Sequence, residues 1–226
     1  MPDAVMIFAA GFGTRMGALT QNTPKPLLHV AGKTLIDHTL DLVRATSPRV
    51  TVANIHYLRE QLAAHLDTSE VTTITEKPAI LDTGGGLKNA LPLLGAGPVF
   101  TTNSDAIWTG PNPFEALRTA WDPDRMDGLL MTVPVENAIS RLGVGDFMHG
   151  VDGQLRRGPD TVYGGVQILK TSLLHTINEP VFSLNLVWDI MIAQGRLYGL
   201  QHAGKWCDVG HPDGITAAER LLLNHV

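Results

Sequence analysis

Strand-like and helix-like segments alternate through the first half of the chain, and this alternation restricts the possible folds more than any other feature. Short apolar, β-rich runs occur at residues 4–8, 50–55, 71–75 and 98–103. Segments with apolar residues at helical spacing follow them, at residues 35–45, 57–66, 86–94 and 113–121. Such alternation is typical of a mostly parallel sheet with helices on both faces. The first half therefore predicts a Rossmann-like α/β fold.

The second half of the chain is richer in predicted strands. These lie at residues 128–135, 145–149, 151–155, 162–169 and 197–202, with few helical gaps. Asp152 and Gly153 favour a tight hairpin, because this dipeptide readily adopts positive φ angles. Helices are predicted at 183–194, with Ser183 as N-cap, and at 212–223, with Pro212 near the first turn. We therefore expect a β-rich insertion within a single domain that spans residues 1–226.

Length, charge and composition exclude several classes of protein. The 226 residues suit one domain, and a net charge of −5 without a block of like charge argues against a broad nucleic-acid surface. No apolar run approaches the ~18 residues that span a bilayer, and the N-terminal segment lacks the basic region of a secretory signal. The single cysteine, Cys207, excludes an internal disulfide. The sequence thus predicts a cytoplasmic protein with no membrane or nucleic-acid partner.

A glycine-rich loop follows the first predicted strand. Gly11, Gly13 and Gly17 form the pattern G-x-G-x-x-x-G, which is one residue longer than the dinucleotide-binding fingerprint. The later AGKT segment ends like a P-loop, but Leu27 stands where the first glycine of that motif belongs. The loop therefore matches neither of these two phosphate-binding motifs.

The same loop carries two cations whose backbone is constrained. Gly11 and Gly13 leave their N–H groups open to an anion, because no Cβ stands in the way. The planar guanidinium of Arg15 suits phosphate oxygens. Lys25 lies between two prolines, which stiffen the backbone that presents its ammonium group. The loop therefore predicts a binding site for a small polyanion.

Residues 8–36, FAAGFGTRMGALTQNTPKPLLHVAGKTLI, closely resemble the opening signature of the sugar-1-phosphate nucleotidyltransferases. In that family the loop wraps a nucleoside triphosphate, which implies that Arg15 and Lys25 contact the phosphates. The nucleotide contacts implied for this loop come from Ala10, Gly11, Gly13, Thr14, Arg15 and Lys25. Ala18 stands where the family usually has a proline, which implies a less rigid loop. The resemblance covers essentially the whole chain and implies a nucleotide-binding part at about 1–110 and a sugar-binding part at about 111–226.

Two aspartates follow predicted strands. Asp105 comes after the strand in VFTTNSDAIW, and Asp208 precedes the glycine turn in KWCDVGHP. Each alone is equally typical of a turn or a helix cap, but together they resemble the two metal aspartates of the family, although Ser104 replaces a usual glycine. The resemblance implies Mg²⁺ bound by Asp105 and Asp208, with Arg15 and Lys25 as the other catalytic residues. Because the acceptor phosphate is ionised at neutral pH, no general base is expected.

A second glycine turn, in AILDTGGGLKNAL, precedes a predicted helix. The family recognises the nucleobase at this place, which implies base contacts from Thr83, Gly84 and Gly85. The L-x-T-G-G-G form and the later GVGDF stretch resemble one subgroup, the N-acetylmuramate-1-phosphate uridylyltransferases of cell-wall recycling. Gly164 stands where that subgroup has Ser or Thr. The sugar contacts implied by the resemblance come from Gly145, Asp146, Gly165 and Asn185.

The expected function is Mg²⁺-dependent transfer of UMP from UTP to N-acetylmuramate 1-phosphate, with release of pyrophosphate. The partners are then an NTP and a sugar 1-phosphate, bound by a monomer or a homodimer. Transfer of another base, or to mannose, glucose, heptose or choline phosphate, stays open, as does a non-catalytic nucleotide-binding regulator on the same fold. The regulator is disfavoured because all four expected catalytic residues are present. An NAD(P)-binding oxidoreductase is disfavoured by the glycine spacing and by Asn54, which stands where an acidic residue is expected.

Overall fold

The computed structural model describes residues 1–224. The strands are β1 (Ala4–Phe8), β2 (His29–Val30), β3 (Lys33–Thr34), β4 (Val50–Ile55), β5 (Val71–Thr75), β6 (Val99–Asn103), β7 (Ala106–Trp108), β8 (Gly128–Pro134), β9 (Ala138–Ile139), β10 (Phe147–His149), β11 (Leu155–Arg157), β12 (Thr161–Leu169), β13 (Leu197–Gln201) and β14 (Trp206–Asp208). The helices are α1 (Leu35–Arg44), α2 (Arg59–Leu66), α3 (Asp82–Leu94), α4 (Pro113–Ala120), α5 (Leu184–Ala193) and α6 (Pro212–Leu223). Short 3-10 turns lie at Thr14–Thr20, Lys25–Leu27, Val135–Asn137 and Ser172–Thr176.

The main sheet runs in the order β11-β10-β12-β6-β1-β4-β5, and β8 pairs with β12 and β13. β1 lies parallel to β4 and β6, β4 is parallel to β5, and β13 is parallel to β8. β12 runs antiparallel to β6 and β8, so the second half of the chain adds antiparallel strands to the sheet. The predicted α/β fold with a β-rich second half is confirmed.

Successive side chains of β1 pack into separate cores on the two faces of the sheet. Val5 and Ile7 belong to a core that includes apolar residues of α1 and α4. Met6 belongs to another core that includes residues of α3 and α5. Because both faces of β1 are covered, the strand reads as a continuous apolar run instead of an alternating one. Burial of each such side chain contributes about 1.5–3 kcal/mol, which gives the loops at the strand ends a rigid base.

Helix ends are predicted well where the local sequence carries the signal. α6 spans residues 212–223 as predicted, with Pro212 in its first turn. The side chain of Ser183 accepts a hydrogen bond from the N–H of Asn185, so the predicted N-cap of α5 is confirmed. Among residues 1–224, every helix is too short or too polar to cross a bilayer.

The predicted start of α3 is wrong. The helix begins at Asp82 instead of residue 86, so Gly84 and Gly85 lie in its first turns and not in a turn that precedes it. Their N–H groups donate to the carbonyl oxygen of Phe182 at 2.9 and 3.0 Å. A Cβ on Gly84 would collide with the ring of Phe182. The glycines are therefore required by close packing against the segment before α5.

The predicted strand at residues 151–155 is also wrong. Residues 151–153 form a turn in which Gly153 has φ 87°, and β11 begins only at Leu155. The turn joins the antiparallel strands β10 and β11, so the hairpin predicted at Asp152 and Gly153 is confirmed. The apolar residues Val151 and Leu155 flank the turn instead of belonging to one strand, because Asp152 and Gly153 reverse the chain between them.

A separate three-stranded sheet, in the order β7-β14-β9, lies outside the predicted elements. β14 runs antiparallel to β7 and parallel to β9. Cys207 in β14 is fully buried and packs in a cluster with Ile107 of β7. This small sheet brings the end of β14 beside the loop that follows β6.

Candidate active site

The carboxyl ends of β1, β4 and β6 meet at one edge of the main sheet. Phe8 at the end of β1 is in register with Asn54 of β4 and Asn103 of β6. Open α/β sheets bind ligands in the crevice beyond such strand ends. Three cavities lie here, and Phe8 lines all of them. We name them the first cavity, at Arg15, the second cavity, at Ala10, and the third cavity, at Asn185.

The glycine-rich loop between β1 and β2 is held by contacts that require glycine. Gly13 has φ 65°, and a Cβ on it would lie 2.9 Å from the Cβ of Lys25. The hydroxyl of Thr20 donates to the carbonyl oxygen of Gly13 at 2.9 Å. The hydroxyl of Tyr57 in turn donates to the carbonyl oxygen of Thr20 at 2.8 Å. These contacts hold the loop although Ala18 replaces the family's proline.

The first cavity has a volume of about 200 Å³ and gathers the predicted phosphate-binding residues. Its walls include Gly11, Gly13, Thr14, Arg15, Lys25, Ser104, Asp105 and Gly210. Lys25 is almost fully buried, and its Nζ donates to Oδ2 of Asp105 at 2.6 Å. The hydroxyl of Ser104 donates to the carbonyl oxygen of Phe8 at 2.8 Å and so joins the ends of β6 and β1. The serine that departs from the family pattern thus has a structural role here.

Asp208 lies beside Asp105 because β14 pairs with β7, which follows Asp105 in the chain. The N–H of Val209 donates to the carbonyl oxygen of Asp105 at 3.0 Å. A Cβ on Gly210 would lie 2.8 Å from Oδ2 of Asp208 and 3.0 Å from Nη1 of Arg15, so these two side chains flank the same glycine. The structure therefore brings together all four residues predicted to be catalytic.

The electrostatics of the aspartate pair favour a bound cation. Burial raises the pKa of Asp208 above its ordinary value, and the charge of Asp105 adds to the rise, whereas Lys25 and Arg15 oppose it. Two neighbouring carboxylates repel each other, and a divalent cation relieves that repulsion. Within residues 1–224, no group of three or more His, Cys, Asp or Glu side chains is placed to hold a metal ion. A pair of carboxylates nevertheless fits Mg²⁺, which keeps several waters or substrate phosphate oxygens as its other ligands.

The second cavity has a volume of about 270 Å³ and adjoins the start of α3. Its walls include Ala10, Gly11, Asn54, Ile80, Asp82, Thr83 and Asn103. Thr83 is the one residue of the predicted base-binding set that reaches this cavity. Gly84 and Gly85 are buried beneath the cavity wall, with their N–H groups bonded to Phe182. Base contact from this stretch stays a prediction for Thr83, and the two glycines serve packing.

A buried polar network supports the walls of the second cavity and was not predicted from the sequence. The side chain of Asn54 accepts from the N–H of Ala9 at 2.8 Å and donates to Oε1 of Glu76 at 2.7 Å. Oε2 of Glu76 accepts from the N–H of Leu81 at 2.7 Å. Glu76 is completely buried, and a Cβ on Gly86 would lie 2.6 Å from its Oε1. The network links the glycine-rich loop to the start of α3; its only sequence signal is an acidic residue that directly follows a strand.

The third cavity, also of about 270 Å³, lies between α5 and the strands of the second half. Its walls include Phe8, Asp82, Thr83, Asn103, Asp146, Arg157, Tyr163, Ser183, Asn185 and Trp188. Asp146 and Asn185 belong to the predicted sugar-binding set. Arg157, Tyr163 and Trp188 were missed, because they come together only when β11, β12 and α5 pack against one another.

The glycines of the predicted sugar-binding set stand behind the third cavity and not in its wall. A Cβ on Gly145 would collide with a neighbouring carbonyl oxygen. Gly165 has φ 97° and backs onto Asn103, with 3.1 Å from the position of a Cβ to Nδ2. At Gly164 a Cβ would collide with the ring of Trp108, which explains why this chain has glycine where the resembling subgroup has Ser or Thr.

Known nucleotidyltransferases are similar to this chain in sequence and in fold. Residues 5–141 match the model of the MobA-like NTP transferase domain. A protein of Caulobacter vibrioides named N-acetylmuramate alpha-1-phosphate uridylyltransferase is 39% identical over 98% of this chain and 97% of its own length. A protein of the same name from Neisseria meningitidis is 34% identical over 96% of each chain. The solved inositol-1-phosphate CTP transferase of T. maritima is 15% identical, with a TM-score of 0.76 over 97% of this chain and 96% of that one.

Proposed function

Because the chain belongs to the MobA-like NTP transferase family, we propose that it transfers UMP from UTP to N-acetylmuramate 1-phosphate. It is a sugar-1-phosphate nucleotidyltransferase, and the base and the acceptor are the proposed part. The names of its two similar relatives support this choice of substrates. The observation that carries the proposal is the first cavity, where Arg15, Lys25 and Asp105 converge at the end of β1, with the carboxylate of Asp208 close to all three.

Charge neutralisation is the main task of such a site, because both substrates are anions. Arg15 offers a planar fork for phosphate oxygens, and Lys25 offers a compact charge held in place by burial. The ammonium group of Lys25 is paired with the carboxylate of Asp105. We propose that Lys25 shares its remaining N–H donors with the triphosphate, so that it need not be reoriented when the nucleotide binds.

Asp105 and Asp208 would hold the Mg²⁺ ion. When it is bound, the ion screens the phosphate charges and helps to orient the reacting groups. Burial and the neighbouring charge of Asp105 raise the pKa of Asp208, and a divalent cation bound between the two carboxylates would offset both effects.

The reaction requires the protein to position the two substrates. It requires no general base from the protein, because the acceptor phosphate is already ionised at neutral pH. An oxygen of the acceptor phosphate attacks the α-phosphorus of UTP and forms a new P–O bond. The bond from that phosphorus to the oxygen that bridges to the β-phosphate breaks, and pyrophosphate leaves. Cys207, next to Asp208, is no alternative nucleophile, because burial and the charge of Asp208 raise its pKa to about 12. Orientation of the two phosphates and stabilisation of their charge are therefore what the protein supplies.

The three cavities divide the substrates between them in this proposal. The triphosphate lies in the first cavity with the cations and carboxylates, and the uracil and ribose lie in the second, at Ala10 and Thr83. The acceptor sugar lies in the third cavity, at Asp146 and Asn185. Asp82, Thr83 and Asn103 line both the second and the third cavity, so the two substrates would meet there. Since UTP is made in the cytoplasm, we expect the protein to act there.

Replacing Gly11 with alanine is expected to weaken UTP binding without loosening the fold. A Cβ on Gly11 meets no protein atom within 4 Å, and the residue lines both the first and second cavities. The added methyl group would therefore collide only with bound nucleotide. We expect kcat/KM for UTP to fall about tenfold or more, which a misfit of about 1.4 kcal/mol is enough to cause. Gly97→Ala is the matched control, because its Cβ also meets nothing within 4 Å and it lies outside the three cavities. Equal kinetics for the two variants would contradict the assignment, and thermal unfolding of both should match the unaltered protein.

A screen of pyrophosphate release tests the proposed function. UTP, CTP, GTP, ATP and dTTP would each be combined with N-acetylmuramate, N-acetylglucosamine, glucose and mannose 1-phosphates in the presence of Mg²⁺. We expect the fastest release with UTP and N-acetylmuramate 1-phosphate. Release with a different pair would retain the reaction and reject the proposed substrates. No release with any pair, although UTP still binds, would reject the enzyme activity with these acceptors.

A further inference from the structure

Arg157 presents a fixed cation to the third cavity. It ends β11 opposite Phe147 of β10, and its guanidinium lies 4.8 Å from the centre of the Phe147 ring and 5.7 Å from that of Trp188. Its Nε donates to Oδ1 of Asp189 at 2.9 Å, and its Nη2 donates to Oδ1 of Asn185 at 2.9 Å. Two aromatic rings and two side chains of α5 thus restrict the guanidinium to one position. A side chain held in this way loses little freedom when it binds a ligand.

One edge of this guanidinium remains open to a ligand. An arginine has five N–H donors, and within residues 1–224 the acceptors on Asn185 and Asp189 engage only Nε and Nη2. Nη1 has no hydrogen-bond acceptor in the described part of the chain. Arg157 is also a wall residue of the third cavity, so a ligand in that cavity has access to it.

The charges around the third cavity leave one place for an anionic group. Arg157 is the single cationic side chain among the described residues that line it, whereas Asp82 and Asp146 are acidic. Oδ2 of Asp146 accepts from the N–H of Tyr163 at 2.9 Å, and its Oδ1 accepts from Nη2 of Arg141 at 3.2 Å. Each oxygen of Asp146 thus accepts one bond from the protein and has a further lone pair for a sugar hydroxyl, whereas the charges of Asp82 and Asp146 repel a second anion. Among the described residues that line the cavity, Arg157 is therefore the one that offers a carboxylate an opposite charge.

We propose that Arg157 binds a carboxylate of the acceptor and makes the enzyme select carboxylated sugar 1-phosphates over neutral ones. The inference rests on the proposed function, whose acceptor carries a lactyl ether with a carboxylate that N-acetylglucosamine 1-phosphate lacks. The acceptor then has two anionic ends, and the site has a cationic group for each. The phosphate end faces Arg15 and Lys25 in the first cavity, and the carboxylate end faces Arg157. Asn185 and Asp189 act as positioning residues for the guanidinium.

A comparison of two acceptors tests this role. Steady-state kcat/KM would be measured with UTP and either N-acetylmuramate or N-acetylglucosamine 1-phosphate, for the unaltered protein, Arg157→Gln and Arg157→Lys. We expect Arg157→Gln to lower the ratio of the two values about 10- to 100-fold, the range for loss of one hydrogen bond to a charged group. The change should arise in the KM for the carboxylated acceptor. Arg157→Lys should restore part of the ratio, because it retains the charge and loses the fork.

The control variant is Arg156→Gln. Arg156 is the exposed neighbour of Arg157 in β11, and adjacent strand residues point to opposite faces of the sheet. Arg156→Gln should therefore have the same kcat/KM as the unaltered protein with each of the two acceptors. If Arg157→Gln lowers kcat/KM for both acceptors by the same factor, the role of Arg157 is only to hold β11 against α5, and the inference is overturned. If the unaltered protein uses neutral acceptors and not N-acetylmuramate 1-phosphate, the proposed function fails first and the inference with it, so the two failures are distinguishable.

Discussion

Replacing Asp208 with asparagine is expected to reduce kcat by about 10²- to 10³-fold or more while the protein still folds. Asparagine offers Mg²⁺ a neutral oxygen in place of a charged one, so that Asp105 becomes the one carboxylate of the predicted pair. Asp105→Asn should have an effect of similar size. Pyrophosphate release at saturating UTP and acceptor, across a range of Mg²⁺ concentrations, would measure both variants. Mg²⁺-dependent turnover at the original rate in either variant would contradict the two-carboxylate assignment.

The same Asp208 substitution is expected to stabilise the metal-free protein at neutral pH. Burial and the charge of Asp105 raise the pKa of Asp208 above its ordinary 3.8, so ionising Asp208 costs more in the folded state than in the unfolded state. The cost is fully present above the folded-state pKa and disappears as the pH falls towards 3.8. In EDTA, Asp208→Asn should therefore have a higher Tm than the unaltered protein at pH 7, and this difference should shrink as the pH approaches 4.

A control and a ligand test make this result specific. Asp213→Asn removes a carboxylate from the exposed first turn of α6 and should not raise the Tm at pH 7. Adding Mg²⁺ with UTP should raise the Tm of the unaltered protein and of Asp213→Asn, because ligands that bind only the folded state stabilise it. Asp208→Asn should lose most of that rise. A lower Tm for Asp208→Asn in EDTA would contradict this prediction, because it would mean that the surrounding cations outweigh both the burial of Asp208 and the repulsion from Asp105.

Lys25→Met is expected to lower kcat/KM for UTP by about 10²- to 10³-fold. Methionine keeps most of the apolar length that packs beneath Gly13, where a Cβ would lie 2.9 Å from the Cβ of Lys25. It removes the ammonium group that meets Asp105 at 2.6 Å, so the triphosphate loses a cation and Asp105 loses its partner. Because the Asp105 side chain is 28% exposed, water replaces part of the lost interaction. We expect the free energy of unfolding to fall by only about 1–2 kcal/mol.

Lys33→Met is the matched control for this variant. Lys33 also pairs with an aspartate, Asp41, but both side chains are exposed and lie outside the three cavities. Exposed ion pairs contribute about 0–1 kcal/mol, so Lys33→Met should differ little from the unaltered protein in either kinetics or denaturant unfolding. Equal kcat/KM for the Lys25 and Lys33 variants would remove Lys25 from the proposed site.

Local signals predicted the elements whose cause is local. Ser183 begins α5 through its own side chain, and α6 begins at Pro212, whose fixed φ suits a first helical turn. The start of α3 could not be predicted in this way, because glycine costs about 1 kcal/mol in a helix relative to alanine. There the packing of Gly84 against Phe182, far along the chain, overrides that local preference. The small sheet was missed because strands of two or three residues are too short to show periodicity.

The same distinction, between local sequence signals and contacts from distant parts of the chain, applies to the candidate site. The loop residues Arg15 and Lys25 and the aspartates at strand ends carry recognisable sequence patterns, and the structure brings them together in one place. Glu76 and Arg157 carry no such pattern, because their partners lie on other elements. Glu76 joins β4 to α3, and Arg157 joins β11 to α5. Sequence patterns therefore predicted the residues of the phosphate and metal site. Most of the wall of the third cavity could not be predicted, because its residues come together only when distant elements pack.

The position of β14 in the chain has a consequence for the time at which the enzyme becomes active in the cell. Translation produces the glycine-rich loop and the partners of β1 first, and N-terminal segments fold first during synthesis. β14 then pairs with β7, which was made much earlier, and delivers Asp208. The intervening stretch of about a hundred residues takes about 5–20 s to synthesise. A nascent chain that stops before β14 presents a phosphate loop with one carboxylate, so we expect nucleotidyl transfer to begin only after β14 has been made and has paired with β7.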